Sequence, residues 1–364
     1  MNPLERLHEA SQSVWLDFLR RGMITGGGLE RLIREDRVSG VTSNPTIFAK
    51  AIGGSTDYDQ AIAELADKGR HDPRDVFYDL ALVDVAMAAD AFRPTFDATA
   101  GADGFVSFEL EPALAHDAAG SVSAARKLVK RIAKPNIMIK VPGTPEAPAA
   151  VEELTAAGVN VNITLLFSVA AYEAVAEAYL AGLERRLHAG LPLGSVASVA
   201  SFFVSRVDTA VDAALGEDSP LRGRAAIANA RAAYHRFRCL FSGERWERLA
   251  AAGARPQRPL WASTGTKNPA YSDVVYVEEL VGPDTVNTMP EATLDAFRDH
   301  GRVRPRAVLD TLEDTEATLA LLPAAGVDLE AVAERLLADG LAAFDADLAT
   351  LLAAIEARLA AACG

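Results

Sequence analysis

Two hydrophobic patterns alternate along the chain. Short apolar runs, many of them β-branched, are separated by longer stretches in which apolar positions recur at helical spacing. The first pattern predicts buried strands and the second amphipathic helices. Ser13–Leu19 is the first run, and alternation puts Ser13, Trp15 and Asp17 on one face. Val38–Pro45 is the second, entering a loop with Thr42 and Asn44 on one side. In Gly104–Leu110, Phe105, Ser107 and Glu109 share a face. Asn136–Val141 is the fourth run and ends at Pro142-Gly143. In Val159–Leu166, Asn160, Asn162 and Thr164 lie on one face, opposite Val161, Ile163 and Leu165. Ser195–Ser205 and Pro259–Thr264 follow, with a weaker eighth run at Thr285–Pro290.

Helical spacing marks Leu29–Asp36, Tyr58–Asp67, a stretch from Pro73 through about Phe92, Ser123–Ala133, Ala147–Ala157, Val169–His188 and a start at Val207. Pro73 stands at a helix start and Gly158 just past a helix end, as each residue prefers. Residues 216–256 read as a polar, arginine-rich helical insertion between strands six and seven, helical over Arg224–Cys239 and Glu244–Ala252. The segment 327–362 is rich in Ala and Leu. Its Phe344, Leu348, Leu351, Ile355 and Leu359 repeat at helical spacing, which predicts a packed C-terminal helix and not low complexity. Eight strands alternating with helices predict an α/β (β/α)8 TIM barrel, with 1–364 as a single domain. A doubly wound open sheet fits less well, because the chain has no GxGxxG or GxxxxGK[ST] loop.

Composition narrows the function. The chain has 364 residues and is 50% hydrophobic, enough for a large core. A net charge of −14 argues against nucleic acid and anionic membranes as partners, although a few local cations can still hold a phosphate. Met1–Arg20 lacks the apolar region of a signal peptide, and no apolar run reaches the ~18 residues of a membrane span. The two cysteines, Cys239 and Cys363, lie far apart, which suits a reducing, cytoplasmic compartment. The six histidines form no HxH or HExxH pattern, so neither a protein-built metal site nor another cofactor is expected.

One residue breaks the pattern of the fourth run. Lysine is scarce here: Lys50, Lys68, Lys127, Lys130, Lys134, Lys140 and Lys267 are all of them. Lys140 alone falls in an apolar strand. Burying a cation costs several kcal/mol unless it is paired or deprotonated, and desolvation lowers a lysine pKa by up to ~3–5 units. A neutral lysine attacks carbonyls and forms a Schiff base. The other reading is a strand-end lysine whose head reaches solvent or a carboxylate. The rest of the chain bears on the choice. Asp17, Asn44, Glu109, Lys140, Asn162 and Thr164 each sit toward the C-terminal end of a predicted strand, where barrel active sites are built. Two carboxylates and a threonine near a lysine can move the protons and hold the water that imine chemistry needs. Arg206 after strand six, with Ser263 and Lys267 after strand seven, are phosphate candidates. A surface salt bridge is the alternative reading of Arg206.

These residues carry a resemblance. Gly40-Val41-Thr42-Ser43-Asn44-Pro45-Thr46-Ile47-Phe48 is similar to the first signature of the transaldolase family. Ile137–Pro142, followed by Gly158–Ser168, is similar to its second, which contains the Schiff-base lysine. The likeness runs from about Trp15 to Met289. It implies that Lys140 binds a ketose donor covalently and that Asp17 is the acid/base for the carbon–carbon step. It gives Glu109 and Thr164 the catalytic water, and Asn44, Asn162 and Ser201 the dihydroxyacetone portion. It gives Arg206 and Ser263 the phosphate, with Lys267 where the family often has a second arginine. Thr42 and Phe203 complete the candidate substrate-binding set. The implied activity belongs to the pentose phosphate pathway. A dihydroxyacetone unit passes from sedoheptulose 7-phosphate or fructose 6-phosphate to glyceraldehyde 3-phosphate or erythrose 4-phosphate. The implied enzyme is a monomer or homodimer acting on sugar phosphates. Two other functions stand beside it: a fructose 6-phosphate lyase, whose members typically carry Gln at the Glu109 position and Tyr at the Phe203 position, and a non-catalytic binding barrel.

Overall fold

The computed structural model describes residues 2–309 and 312–363. Eight strands, β1 (Gln12–Leu16), β2 (Gly40–Thr42), β3 (Phe105–Glu109), β4 (Ile137–Pro142), β5 (Val161–Leu166), β6 (Ser198–Phe203), β7 (Arg258–Ala262) and β8 (Thr285–Met289), close into a barrel in sequence order. Every neighbouring pair is parallel, and β8 pairs with β1. Helices wrap the outside, so the strands are buried on both faces and read as nearly continuous apolar runs. This is the (β/α)8 architecture that the alternation predicts.

The differences from the predicted elements have local causes. The second run ends at Thr42, and the expected loop is a helix, Pro45–Gly53. Its start signal is present: the Asn44 side chain accepts from the Ile47 amide at 2.9 Å, and Pro45 occupies the first turn. The helix from Pro73 continues to Ala98, with Pro94 inside it. The sixth strand is shorter than its apolar run, because Val204 and Ser205 already lead into the helix Ser205–Ala214. Within residues 216–256 lie the helices Ala225–Leu240 and Gly243–Ala251. The first buries Ala226, Ala230, Ala233, Tyr234 and Phe237.

The tail forms one helix, Leu329–Cys363. Its stripe of Phe344, Leu348, Leu351, Ile355 and Leu359 is buried. The helix is tied to the C-terminal end of the barrel. Thr46 donates to Asp347, and Arg358 donates to the Ser55 carbonyl at 2.9 Å. Among the described residues, no helix is long and apolar enough to cross a membrane. Cys239 is exposed and free, and the side chain of Cys363 lies outside the described residues.

Candidate active site

Strand register builds the site's first row. Glu109 pairs with Lys140 across β3–β4, and Lys140 pairs with Asn162 across β4–β5. Three polar side chains therefore stand abreast on adjacent strands, Glu109 at the end of β3 and Lys140 within β4, while Asn162 lies near the start of β5 and not toward its end as its run predicts. Lys140 is 4% exposed, which rules out a head that simply reaches bulk solvent. Its Nζ donates to the Ser43 carbonyl at 3.1 Å. Glu109 Oε2 lies 3.1 Å away, an ion pair between two buried groups. Apart from Lys140, the Glu109 oxygens have no partner among the described residues. Burial pushes the Glu109 carboxyl above its ordinary range, Lys140 pulls it back, and the nearby charge of Asp17 pushes it further up.

Asp17 follows β1 directly, and its backbone extends the ladder by donating to the Met289 carbonyl at 2.8 Å. Thr42 Oγ1 donates to Asp17 Oδ1 at 2.6 Å and lies 2.8 Å from Thr288 Oγ1. Asp17 is ringed by protein, with its exposed part opening on the central cavity. Burial raises its pKa, against Lys140, the Thr42 bond and Arg206. Thr164 is fully buried, and its hydroxyl has no hydrogen-bond partner among the described residues. The next residue, Leu165, has a φ of 58°, and the β5–β6 register shifts between Ile163 and Leu166. A non-glycine residue in that region stores strain, and a bulge re-aims side chains.

The third part lies after β6 and β7. The Arg206 guanidinium stacks over Phe203 at 5.3 Å, and Phe203 packs on Phe167 with ring centroids 5.2 Å apart. Burial pulls the pKa of Arg206 down, while Asp17 and Glu109 oppose the shift. Ser263 also takes a left-handed φ of 55°, and its Oγ lies 2.9 Å from that of Ser205. The tail helix roofs this end. Phe344 lines the cavity, and a Cβ on Gly340 would stand 2.9 Å from Leu165 Cδ2 and 3.6 Å from the Arg206 guanidinium. Glycine lets the helix come this close.

One cavity of about 470 Å³ gathers Lys140, Asp17, Thr164, Thr42, Asn44, Ser201, Phe203, Arg206, Ser263 and Lys267. Glu109 and Asn162 are not on its wall. Glu109 reaches it through Lys140. Asn162 lies behind Ser201, accepting from its hydroxyl at 2.6 Å and donating to Ser107 Oγ at 3.0 Å. Alternation gives the face of a residue and not its depth. The wall also holds Thr46, Lys50, Thr288 and Phe344, which sequence reasoning did not assign to a site. Lys50 and Thr46 sat on the unread helix. Phe344 is in the core stripe, so its second contact carried no separate signal. Three of the seven lysines in the chain, Lys50, Lys140 and Lys267, share this wall.

Fold and site together define a (β/α)8 barrel with a buried lysine as the centre of a polar cavity, a group that can act as a nucleophile toward carbonyls. Residues 14–355 match the model of the transaldolase/fructose-6-phosphate aldolase family, and the chain belongs to that family. It is 48% identical over 361 residues to "Transaldolase 1" of Streptomyces coelicolor, covering 98% of this chain and 94% of that one. It is 47% identical to "Transaldolase" of Parafrankia sp., covering 99% of each chain. Identity to "Transaldolase" of Acidothermus cellulolyticus is 46%, covering 98% of this chain and 97% of that one.

Proposed function

We propose that this protein is a transaldolase acting on sugar phosphates through a Schiff base on Lys140. The observation that carries the reading is the placement of Lys140: a buried amine, 3.1 Å from Glu109 and on the same cavity wall as Asp17. The amine adds to the ketose carbonyl to give a carbinolamine. Water leaves to give the iminium, with Glu109 and Thr164 moving the protons and holding that water. Asp17 takes the proton of the hydroxyl on the carbon beyond the bond to be broken. The carbon–carbon bond then breaks, and its electron pair runs into the iminium to form an enamine. An aldose phosphate leaves. An incoming aldehyde takes the enamine electrons, Asp17 returns the proton, and water releases the product. Thr42 holds Asp17. Asn44 and Ser201, with Asn162 behind it, bind the three-carbon unit. Arg206, Ser263 and Lys267 hold the phosphate. Sedoheptulose 7-phosphate or fructose 6-phosphate is the donor, and glyceraldehyde 3-phosphate or erythrose 4-phosphate the acceptor. The reading places the enzyme in the pentose phosphate pathway and, on its sparse cysteines, in the cytoplasm.

Borohydride reduction in the presence of fructose 6-phosphate, followed by peptide mapping, tests this. A three-carbon adduct on Lys140 is the expected result, and an unmodified Lys140 would overturn it. Lysis without transfer is the second reading, favoured by the family's other named activity. Glu109 and the hydroxyl-free Phe203 favour transfer. Release of free dihydroxyacetone at the full rate without an acceptor would reverse that choice.

A further inference from the structure

The cations assigned to the phosphate stand on different segments. Arg206 is on the helix Ser205–Ala214, and Lys267 is on the loop after β7. Lys267 is exposed, and its loop would hold it in no fixed place without a tether. Two acids of the Arg206 helix bind tyrosines of the segment that follows Lys267. Asp212 Oδ2 accepts from the Tyr271 hydroxyl at 2.6 Å, and Asp208 Oδ2 accepts from the Tyr276 hydroxyl at 2.9 Å. The other carboxylate oxygens are also fixed: Asp212 accepts from the Gly223 amide at 3.0 Å and Asp208 from the Ala226 amide at 2.8 Å. The acids are buried, at 7% and 1% exposure. Gly223 has a φ of +70°, and a Cβ there would stand 2.8 Å from Tyr271 Cζ, so the ring lies flat against glycine backbone. The loop closes on itself near Lys267, where Thr266 Oγ1 donates to the Ser272 carbonyl at 2.9 Å.

We propose that Tyr271 and Tyr276, latched onto Asp212 and Asp208, are positioning residues that set Lys267 against Arg206 and so fix the enzyme's preference for phosphorylated substrates. The proposal rests on the phosphate assignment above. Neither tyrosine lines the cavity, and their oxygens are spent on the acids, so they act through Lys267. The Tyr271 bond to Asp212 has the 2.6 Å length of a charge-assisted bond, which holds direction as well as distance, and the longer Tyr276 bond supports it. A merely structural pair would lower stability and affect all substrates alike. A latch affects the phosphate alone.

The test compares fructose 6-phosphate with fructose in Tyr271→Phe. The KM for fructose 6-phosphate should rise about tenfold, the worth of one charge-assisted hydrogen bond, with kcat and both fructose constants unchanged. Gly223→Ala, which pushes the same ring from the other side, should reproduce the pattern. Tyr271→Phe and Asp212→Asn should not be additive in their effect on KM, as expected for contacting groups. Equal changes with both donors, or no change, would overturn the latch. Trapping the parent enzyme with unphosphorylated dihydroxyacetone and borohydride separates the failures. No adduct on Lys140 would count against the proposed function alone. Calorimetric binding of inorganic phosphate then tests the latch without turnover: weaker binding in Tyr271→Phe supports it, and unchanged binding overturns it.

Discussion

The barrel carries a polar cluster at each end, and the two are built differently. At the N-terminal end Asp103, buried, accepts from the Ser13 hydroxyl, from Trp15 Nε1 at 2.8 Å, from Ser39 Oγ at 2.9 Å and from the Gly104 amide at 3.1 Å. Arg258 donates to Ser13 Oγ at 2.8 Å and stands 3.7 Å from the same carboxylate. Every polar atom named there has a partner. At the C-terminal end the Thr164 hydroxyl has no hydrogen-bond partner among the described residues, and Glu109 has only its ion pair with Lys140. The chain leading through β1 serves both clusters, with Ser13 and Trp15 below and Asp17 above. A buried polar group left unpaired costs free energy. The Asp103 cluster avoids that cost, although Gln12 Oε1, Asn136 Oδ1 and Gln257 Oε1 near other strand starts do not. The contrast is between a closed cluster tying β1 to β2 and β3 and a cavity wall with a free hydroxyl.

Removing Lys140 strains this contrast most. Lys140→Ala should lower turnover by ~10⁴-fold or more, the scale of losing a nucleophile, while circular dichroism keeps the barrel signature. At the other end Asp103→Ala should cost about 3–5 kcal/mol of stability, because it strands the groups that converge on a buried charge. Measured below its melting transition, its kcat should equal that of the parent. If Asp103→Ala lost turnover as well, the two ends would not be separate. Thr164→Val should lower kcat about 10²-fold, the low end of a proton-transfer contribution. Its melting temperature should hold or rise, since the hydroxyl it removes is unpartnered. A fall in stability would mean that Thr164 is structural.

The smallest effect sharpens the contrast through pH. Burial raises the Glu109 pKa above its ordinary 4.5. The folded state then binds that proton more tightly than the unfolded chain does. The Glu109 contribution to stability therefore grows as pH falls through its folded pKa toward 4.5 and is flat above that window. Activity that needs an ionised Glu109 moves the opposite way. The acid limb of kcat should lie above the ordinary carboxylate range, and Glu109→Gln should remove that limb from the activity that survives. A limb unchanged in Glu109→Gln would assign it to Asp17, whose pKa is raised by the same cause.

Much of the site was legible because a parallel barrel makes polar residues in strands conspicuous. Glu109, Lys140, Asn162 and Thr164 each interrupt an apolar run, and strand order brings the first three abreast, with Thr164 one step further along β5. The unread features depend on packing between distant segments. Phe344 looks like any other member of a helical stripe until the tail crosses the barrel mouth. Asp208 and Asp212 look like surface acids until the loop after β7 folds its tyrosines onto them. Lys50 is hidden for a more local reason: the run into Asn44-Pro45 reads as a strand entering a loop, although the same two residues carry the start signal of the helix Pro45–Gly53.

The roof over the cavity has a consequence for how the protein is made and handled. The last strand closes at Met289, while Phe344 and Gly340 belong to the helix Leu329–Cys363. A chain emerging from the ribosome can thus complete its barrel before it owns a covered site. Losing the tail before Gly340 would take Phe344 off the cavity wall and also bare the helix faces that Leu348, Leu351, Ile355 and Leu359 cover, so the cost would fall on the core and on the cavity together.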